Sequence, residues 1–309
     1  MGRYVARRLL QMIPVFLGST LLVFLMMYAL PGDPVRALAG EQHVDASQIA
    51  ALKAQYGLDQ PIWQQYLNYL GNLFQGDLGT QIGTQRPVAE VISDAYPITV
   101  RLAIFAFVFT VVAGISLGIV AGLKAESLRD RGLLGLTLVL ISMPSFVLGF
   151  LVQYLFAFQL GIAKPNVSLE PTNTELIMPA VVLASLSLAY VARLTRTSVA
   201  ENMRADYMRT AVAKGLPRRR VIGVHLMRNS LIPVVTFLGT DIGALMGGAI
   251  VTEGIFNIKG VGSLVFEALA KREGATVVGV VTLLVVVYLI CSLLVDLLYA
   301  VLDPRIRYA

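Results

Sequence analysis

Cysteine occurs once, at Cys291, tryptophan once, at Trp63, and histidine twice, at His43 and His225. A lone thiol in an apolar run permits neither an intrachain disulfide framework nor a thiolate metal cluster. The histidines lie far apart and form no HExxH, which removes that zinc-protease pattern. A phosphate-cradling GxxxxGKS/T is missing too, so if ATP drives transport here, its hydrolysis belongs to another polypeptide. Charge is also scarce. Only 14% of the 309 residues are charged against 56% hydrophobic, a balance that a water-exposed surface does not carry.

What is present reads as an all-α integral membrane protein. Apolar stretches at 9–30, 98–123, 133–158, 176–194, 231–252 and 277–302 predict six spanning helices. The first, at 1.5 Å per residue, measures about 33 Å, enough to cross a bilayer core. It lacks the short apolar region and small-residue cleavage site of a signal peptide, so it is read as retained. Arg3, Arg7 and Arg8 precede it and fix its start on the cytoplasmic side. An even count of spans puts both termini there.

Residues 31–97 form the longest stretch of low hydrophobicity and are expected outside, as a small helical layer. They hold seven Asp or Glu against three Lys or Arg, which fits the outer side. Asp45 is expected to cap a helix ending near Gly57, and Pro61 to start an amphipathic one with Ile62, Tyr66, Tyr69 and Leu73 on one face. Gly76-Asp77-Leu78-Gly79 signals a tight turn. Across the whole chain, sixteen of the 25 Lys and Arg fall in segments assigned to the cytoplasm and seven in those assigned outside. The net charge of +6 is therefore topology rather than nucleic-acid binding, since no aromatics interleave the basic residues.

Few residues inside the spans could carry chemistry. Asp241 and Asp296 are the carboxylates there, and a proton relay through them, as in an ion-gradient-driven secondary transporter, is the rival reading. Against it stands the lack of a series of titratable groups. The structural alternatives are that Asp241 caps or locks a helix and that Asp296 hydrogen-bonds to neighbouring helices or sits near the inner boundary. Pro144 in Ser142-Met143-Pro144-Ser145 is expected to bend the third span. Gly239, Gly243 and Gly247 recur every four residues, a spacing that suits close helix packing or a sliding face. The segment 253–274 is expected to dip partly back into the membrane.

The segment 206–229, DYMRTAVAKGLPRRRVIGVHLMRN, interrupts two apolar runs. Asp206 suits a helix N-cap, Gly215 the C′ position and Pro217 a second start. Residues 207, 210, 211 and 214 share a face that is neither apolar enough to span nor polar enough to be a linker, which predicts a helix lying on the membrane surface. Arg218, Arg219 and Arg220 suit anionic lipid headgroups.

Here the residues resemble a known family. Tyr207-Met208-Arg209-Thr210-Ala211-Val212-Ala213-Lys214-Gly215-Leu216 is similar to the EAA loop of ABC importer permease subunits, in the form of the dipeptide and oligopeptide (peptide/nickel) branch. Ala211 and Gly215 keep the general spacing. Arg209, Thr210, His225, Met227 and Arg228 depart from the general pattern but match the Y-x-R-T-A-x-A-K-G-L and H-x-x-R-N of that branch. LPGDP at 30–34, YGLDQPIWQQY at 56–66, GDLG at 76–79, RPV at 86–88, SMPSF at 142–146 and DPRIR at 303–307 extend the resemblance along nearly the whole chain. Lys271-Arg272-Glu273-Gly274-Ala275-Thr276 departs from the usual Arg-Asp and proline-containing stretch.

The resemblance implies a permease in the bacterial cytoplasmic membrane: a first span at 1–30, an outer segment at 31–97 and a permease core at 98–309. It implies a homologous permease subunit, two cytoplasmic ABC ATPases holding ATP and Mg, and an extracytoplasmic solute-binding protein as partners, with a di- or oligopeptide as substrate. Members of the branch also import nickel, glutathione or opine-like compounds. The chain itself would hold no cofactor and no catalytic group. Tyr207, Arg209, Thr210, Ala211, Lys214 and Gly215 would couple to an ATPase. Asp33, Trp63 and Asp77 are candidates for the binding-protein contact or outer gate, and Asp241 and Pro144 for the path.

Overall fold

The computed structural model describes residues 2–29, 46–55, 57–81 and 83–302. Apart from an isolated bridge between Thr80 and Pro87, regular structure among them is helical. The helices are α1 (Gly2–Ala29), α2 (Ala46–Gln55), α3 (Ile62–Phe74), α4 (Val88–Gly122), α5 (Leu128–Ser142), α6 (Ser145–Gln159), α7 (Ile177–Met203), α8 (Asp206–Ala213), α9 (Arg218–Ser230), α10 (Ile232–Phe256), α11 (Val261–Lys271) and α12 (Gly274–Leu302). Asp33 and Asp45, with the LPGDP and DPRIR motifs, lie outside the described residues.

Val5–Met26, Val88–Gly122, Ile177–Met203 and Gly274–Leu297 are each long and apolar enough to cross a membrane, and the count reaches seven when three further helix pairs are taken as spans. The six expected spans fall within that range. The third is not one rod. α5 and α6 meet at 107°, because the ring of Pro144 drives Met143 out of the helical region to φ −96°, ψ 131°. Pro97, by contrast, lies inside α4, which starts at Val88, ten residues before the expected span.

The chain forms two compact units, residues Met1–Thr99 with Lys259–Ile290, and Val100–Ile258 with Cys291–Ala309. In the first, Val88, Ile92 and Ala95 of α4 pack with Val261 and Val265 of α11 and Val280 of α12. The backbone N–H of Val261 donates to Thr99 Oγ1 at 2.8 Å, which satisfies one orphan donor of the α11 N-terminus. Glu273 is buried and accepts from Gly83 N and Thr276 Oγ1. Lys271 approaches Glu267 at 3.8 Å.

In the second unit α4 lies against α7 along Gly114, Gly118 and Gly122. A Cβ on Gly118 would stand 2.5 Å from Thr195 Cβ and 2.6 Å from the Ala192 carbonyl oxygen. These glycines, rather than the noted 239/243/247 series alone, set the closest helix contact. Of that series, Gly239 faces Val295, Gly243 is buried, and Gly247 meets nothing within 4 Å. α10 packs on α7 through Val191, Val234 and Leu238.

Candidate functional site

The basic segment 206–229 is built on the end of α7. Met203 ends α7, and Ala205 in an extended conformation, not Asp206, is the N-cap of α8. Asp206 is the first helical residue, where its charge complements the helix dipole and reaches Arg209 at 3.9 Å. The cap expectation is thus off by one residue. Val199, Met208, Ala211, Val221 and Leu226 form a buried cluster, edged by Ile119, Leu123, Tyr207, Leu216, Ile222 and Met227. α8 is therefore held onto α7 and α9 by its 208/211 face, and Tyr207 Oη adds a hydrogen bond to Asn202 Oδ1 at 2.7 Å.

The far end of α8 is closed by glycine. Gly215 takes φ +70°, its N–H donates to the Val212 carbonyl at 2.9 Å, and that of Leu216 to Ala211 at 3.3 Å. This pair of bonds is the Schellman arrangement, in which the C′ residue must be left-handed and glycine meets the demand without strain. Pro217 is the N-cap of α9 rather than its first residue. α9 carries Arg218, Arg219 and Arg220 exposed, then widens into a π-helical stretch at Val221–Leu226.

The six residues singled out for coupling therefore divide. Arg209, Thr210, Lys214 and Gly215 are exposed, Tyr207 is half-buried, and Ala211 is buried. Residues 207, 210, 211 and 214 lie on one side of the helix at helical spacing, but that side is split between buried Ala211 and exposed Thr210 and Lys214. Helical spacing leaves the anchoring side ambiguous in so short and mixed a sequence, and Met208 turns out to mark it.

Next to this segment the structure holds an ion pair that sequence reading passed over. Asp130 is buried and accepts from Arg196 Nε at 2.8 Å and Nη2 at 2.6 Å. Its Oδ2 also takes the Glu126 N–H at 2.8 Å, while Ser127 caps α5. The loop KAESLRDR is thus fastened to α7 by a bidentate pair, stronger than a single charged contact. Its eight residues looked like ordinary positive-inside charge, and nothing in their spacing pointed to Arg196, 66 positions on.

The remaining candidates are scattered. Asp241, on α10, is buried and accepts from Ser187 Oγ on α7 at 2.7 Å, which fits the helix-locking alternative. Asp296 lies within α12, six residues before its last residue, Leu302. Glu253, one residue past the expected end of the fifth span, is fully buried inside α10 and was missed. Pro144 sits at the α5/α6 corner. Trp63 is exposed on α3. Asp77 is exposed, and its Oδ1 takes the Gly79 N–H at 2.8 Å within the GDLG turn. No group of three or more metal-ligating side chains occurs among the described residues.

Comparison with known proteins decides the family. Residues 114–308 match the family described as "Binding-protein-dependent transport system inner membrane component", and residues 1–103 match its N-terminal region. The chain belongs to this family. The permease is 38% identical over 337 residues to the "Dipeptide transport system permease protein DppB" of Escherichia coli K12, covering 100% of this chain and 99% of that one. It is 37% identical to the "Di/tripeptide transport system permease protein DppB" of Pseudomonas aeruginosa UCBPP-PA14, covering 99% and 98%. To the "Glutathione transport system permease protein GsiC" of Salmonella typhimurium LT2 it is 39% identical over the full length of both. The permease is thus an inner-membrane transport component, not a catalytic enzyme, and the ion-gradient reading of Asp241 and Asp296 is not favoured.

Proposed function

We propose that this permease is one of two homologous membrane subunits of an ATP-driven importer of short peptides, fed by an extracytoplasmic binding protein and driven by two cytoplasmic ABC ATPases that hold ATP and Mg. Three relatives of near-equal identity are named for dipeptide, di/tripeptide and glutathione transport. Glutathione is itself a tripeptide, so a short peptide is the chemistry they share.

The observation that carries the mechanism is the division of α8. Its Met208/Ala211 side is buried against α7 and α9, while Arg209, Thr210, Lys214 and the Gly215 corner are exposed. A short helix so anchored moves with α7. Seated in a cleft of an ATPase, it would pull the end of α7 as the ATPase dimer closes on ATP and would return on hydrolysis. The energy of the shift comes from ATP binding the partner differently in the two states. Asp130 and Arg196 would keep the preceding loop in the same moving body, and Arg218–Arg220 would rest on anionic headgroups. The turn at Asp77 and the parts of 31–97 outside α3 would form the docking layer for the binding protein.

Gly215 provides the test. Its absent Cβ would meet nothing within 4 Å in this chain, so the internal cost of a side chain is the left-handed backbone, about 1–2 kcal/mol. Asn tolerates that conformation better than Leu. Gly215→Leu is expected to abolish substrate-stimulated ATP hydrolysis or complex assembly, and Gly215→Asn to retain more of both. Normal assembly and coupling in Gly215→Leu would overturn the assignment.

A further inference from the structure

The apolar stripe of α3 is wider than the contact it makes. On a helical projection Tyr69, Ile62, Leu73, Tyr66, Leu70, Trp63, Phe74 and Leu67 follow one another around one side, and Gln64, Gln65, Asn68 and Asn72 take the other. Only the first part is docked. Tyr66 Oη lies 3.0 Å from both the Leu17 carbonyl oxygen and Thr20 Oγ1 of α1. The Phe24 ring centroid is 5.5 Å from that of Tyr66 and 6.0 Å from that of Tyr69. Tyr69 Oη meets Thr282 Oγ1 of α12 at 2.7 Å. The second part is left uncovered, with Trp63 65%, Leu67 57% and Phe74 82% exposed.

These contacts fix a depth. In the sequence the apolar run of α1 ends at Leu30 and that of α12 begins at Val277. Thr20 lies ten residues inside the first end and Thr282 five inside the second, about 15 and 8 Å along the helix axes at 1.5 Å per residue. α3 is therefore held below the level at which its two neighbours leave the apolar zone. The 13 residues Ile62–Phe74 carry no charge, and Leu21, Leu22 and Leu25 of α1 are exposed as well. Within a bilayer, an exposed face of a spanning helix is covered by acyl chains unless another subunit takes their place.

We propose that α3 is an interfacial helix sunk in the leaflet that receives the far end of α1, the outer one by the charge bias, with Trp63, Leu67 and Phe74 among lipid chains and its Gln and Asn side toward the headgroups. Helices of this kind bury an apolar face about 5–10 Å into the headgroup and acyl boundary, and tryptophan favours that level. The occupant is lipid. α3 then anchors the outer layer to the bilayer, and Trp63 is not the contact for the binding protein.

Trp63, the single tryptophan of the chain, is its own probe. The emission difference between wild-type and Trp63→Phe transporter, assembled in phosphatidylcholine nanodiscs, isolates this indole from those of the other subunits. The expected result is loss of that emission with chains brominated near the headgroup, less loss with chains brominated near the bilayer centre, and protection from aqueous iodide. Quenching by iodide, relieved on adding the binding protein, would overturn the proposal in favour of protein docking. Resistance to both quenchers would overturn it in favour of a contact with the second permease.

Discussion

Replacing Gly118 by alanine adds one methyl group where α4 and α7 are closest. The new Cβ would stand 2.5 Å from Thr195 Cβ, 2.6 Å from the Ala192 carbonyl oxygen and 2.9 Å from Thr195 Cγ2. Real Cβ atoms essentially never approach closer than 3.0 Å, so the helices must part by at least about half an ångström, and the carbonyl cannot rotate away as a side chain can. Overpacking typically costs about 1–3 kcal/mol, or a 5- to 150-fold loss in the folded population at about 1.4 kcal/mol per factor of ten. Gly122→Ala also meets backbone, the Arg196 carbonyl at 2.8 Å. Gly114→Ala meets mainly the Val191 side chain, at 2.8 Å, with the nearest backbone atom at 3.5 Å, so Val191→Ala should rescue it. Gly135→Ala, where nothing lies within 4 Å, should gain up to about 1 kcal/mol of helix propensity. The assay is thermal unfolding of the purified permease, where about 2–4 °C of Tm corresponds to each kcal/mol in domains of 150–250 residues. The expected order of loss is Gly118 and Gly122, then Gly114, with Gly135 unharmed. Equal Tm values for Gly118→Ala and Gly135→Ala would refute the packing.

Two further expectations concern charge. Asp130→Ala leaves Arg196, whose side chain is 23% exposed, without its bidentate partner, at a cost of about 1–3 kcal/mol; assembly yield should fall, and Arg196→Lys, which loses the bidentate geometry, should fall partway. In the segment after α6, Glu175 accepts from Lys164 Nζ at 2.7 Å and from Ser168 Oγ, contacts that hold its carboxyl down to about 2 against an ordinary 4.5. A depressed carboxylate contributes its order fully above the unfolded value and loses it as pH falls through the folded one. Hydrogen exchange of the Ser168 amide, corrected for intrinsic rate, should thus be level above about pH 4.5 and quicken between there and pH 2, and Glu175→Gln should abolish that step.

Hydropathy and charge made the membrane class legible because both are sums over many residues, and a lipid solvent forces the backbone into helices. Gly57 and Gly215 were legible as helix stops because each occupies a left-handed position, φ +63° and +70°, that other residues resist. Pro144 announced a bend, but the size of a bend depends on what the second arm packs against. The burial of Ala211 and the pair of Asp130 with Arg196 were hidden for a related reason: both depend on contacts between segments distant in sequence. Glu253 escaped because a hydropathy boundary was drawn one residue short of it. Trp63 was placed on a helix but not at a depth, which only Thr20 and Thr282 supply.

The central claim is that the exposed side of α8 touches an ATPase. Single cysteines at Thr210 and Lys214, and controls at Met208 and Ala211, can be placed in a Cys291→Ser background of the assembled transporter and cross-linked with a short thiol-reactive reagent. Cross-links from Thr210→Cys and Lys214→Cys to the ATPase, changing in yield with ATP, and none from the buried positions are the expected result. An assembled, transporting complex in which neither exposed position reaches the ATPase would contradict it.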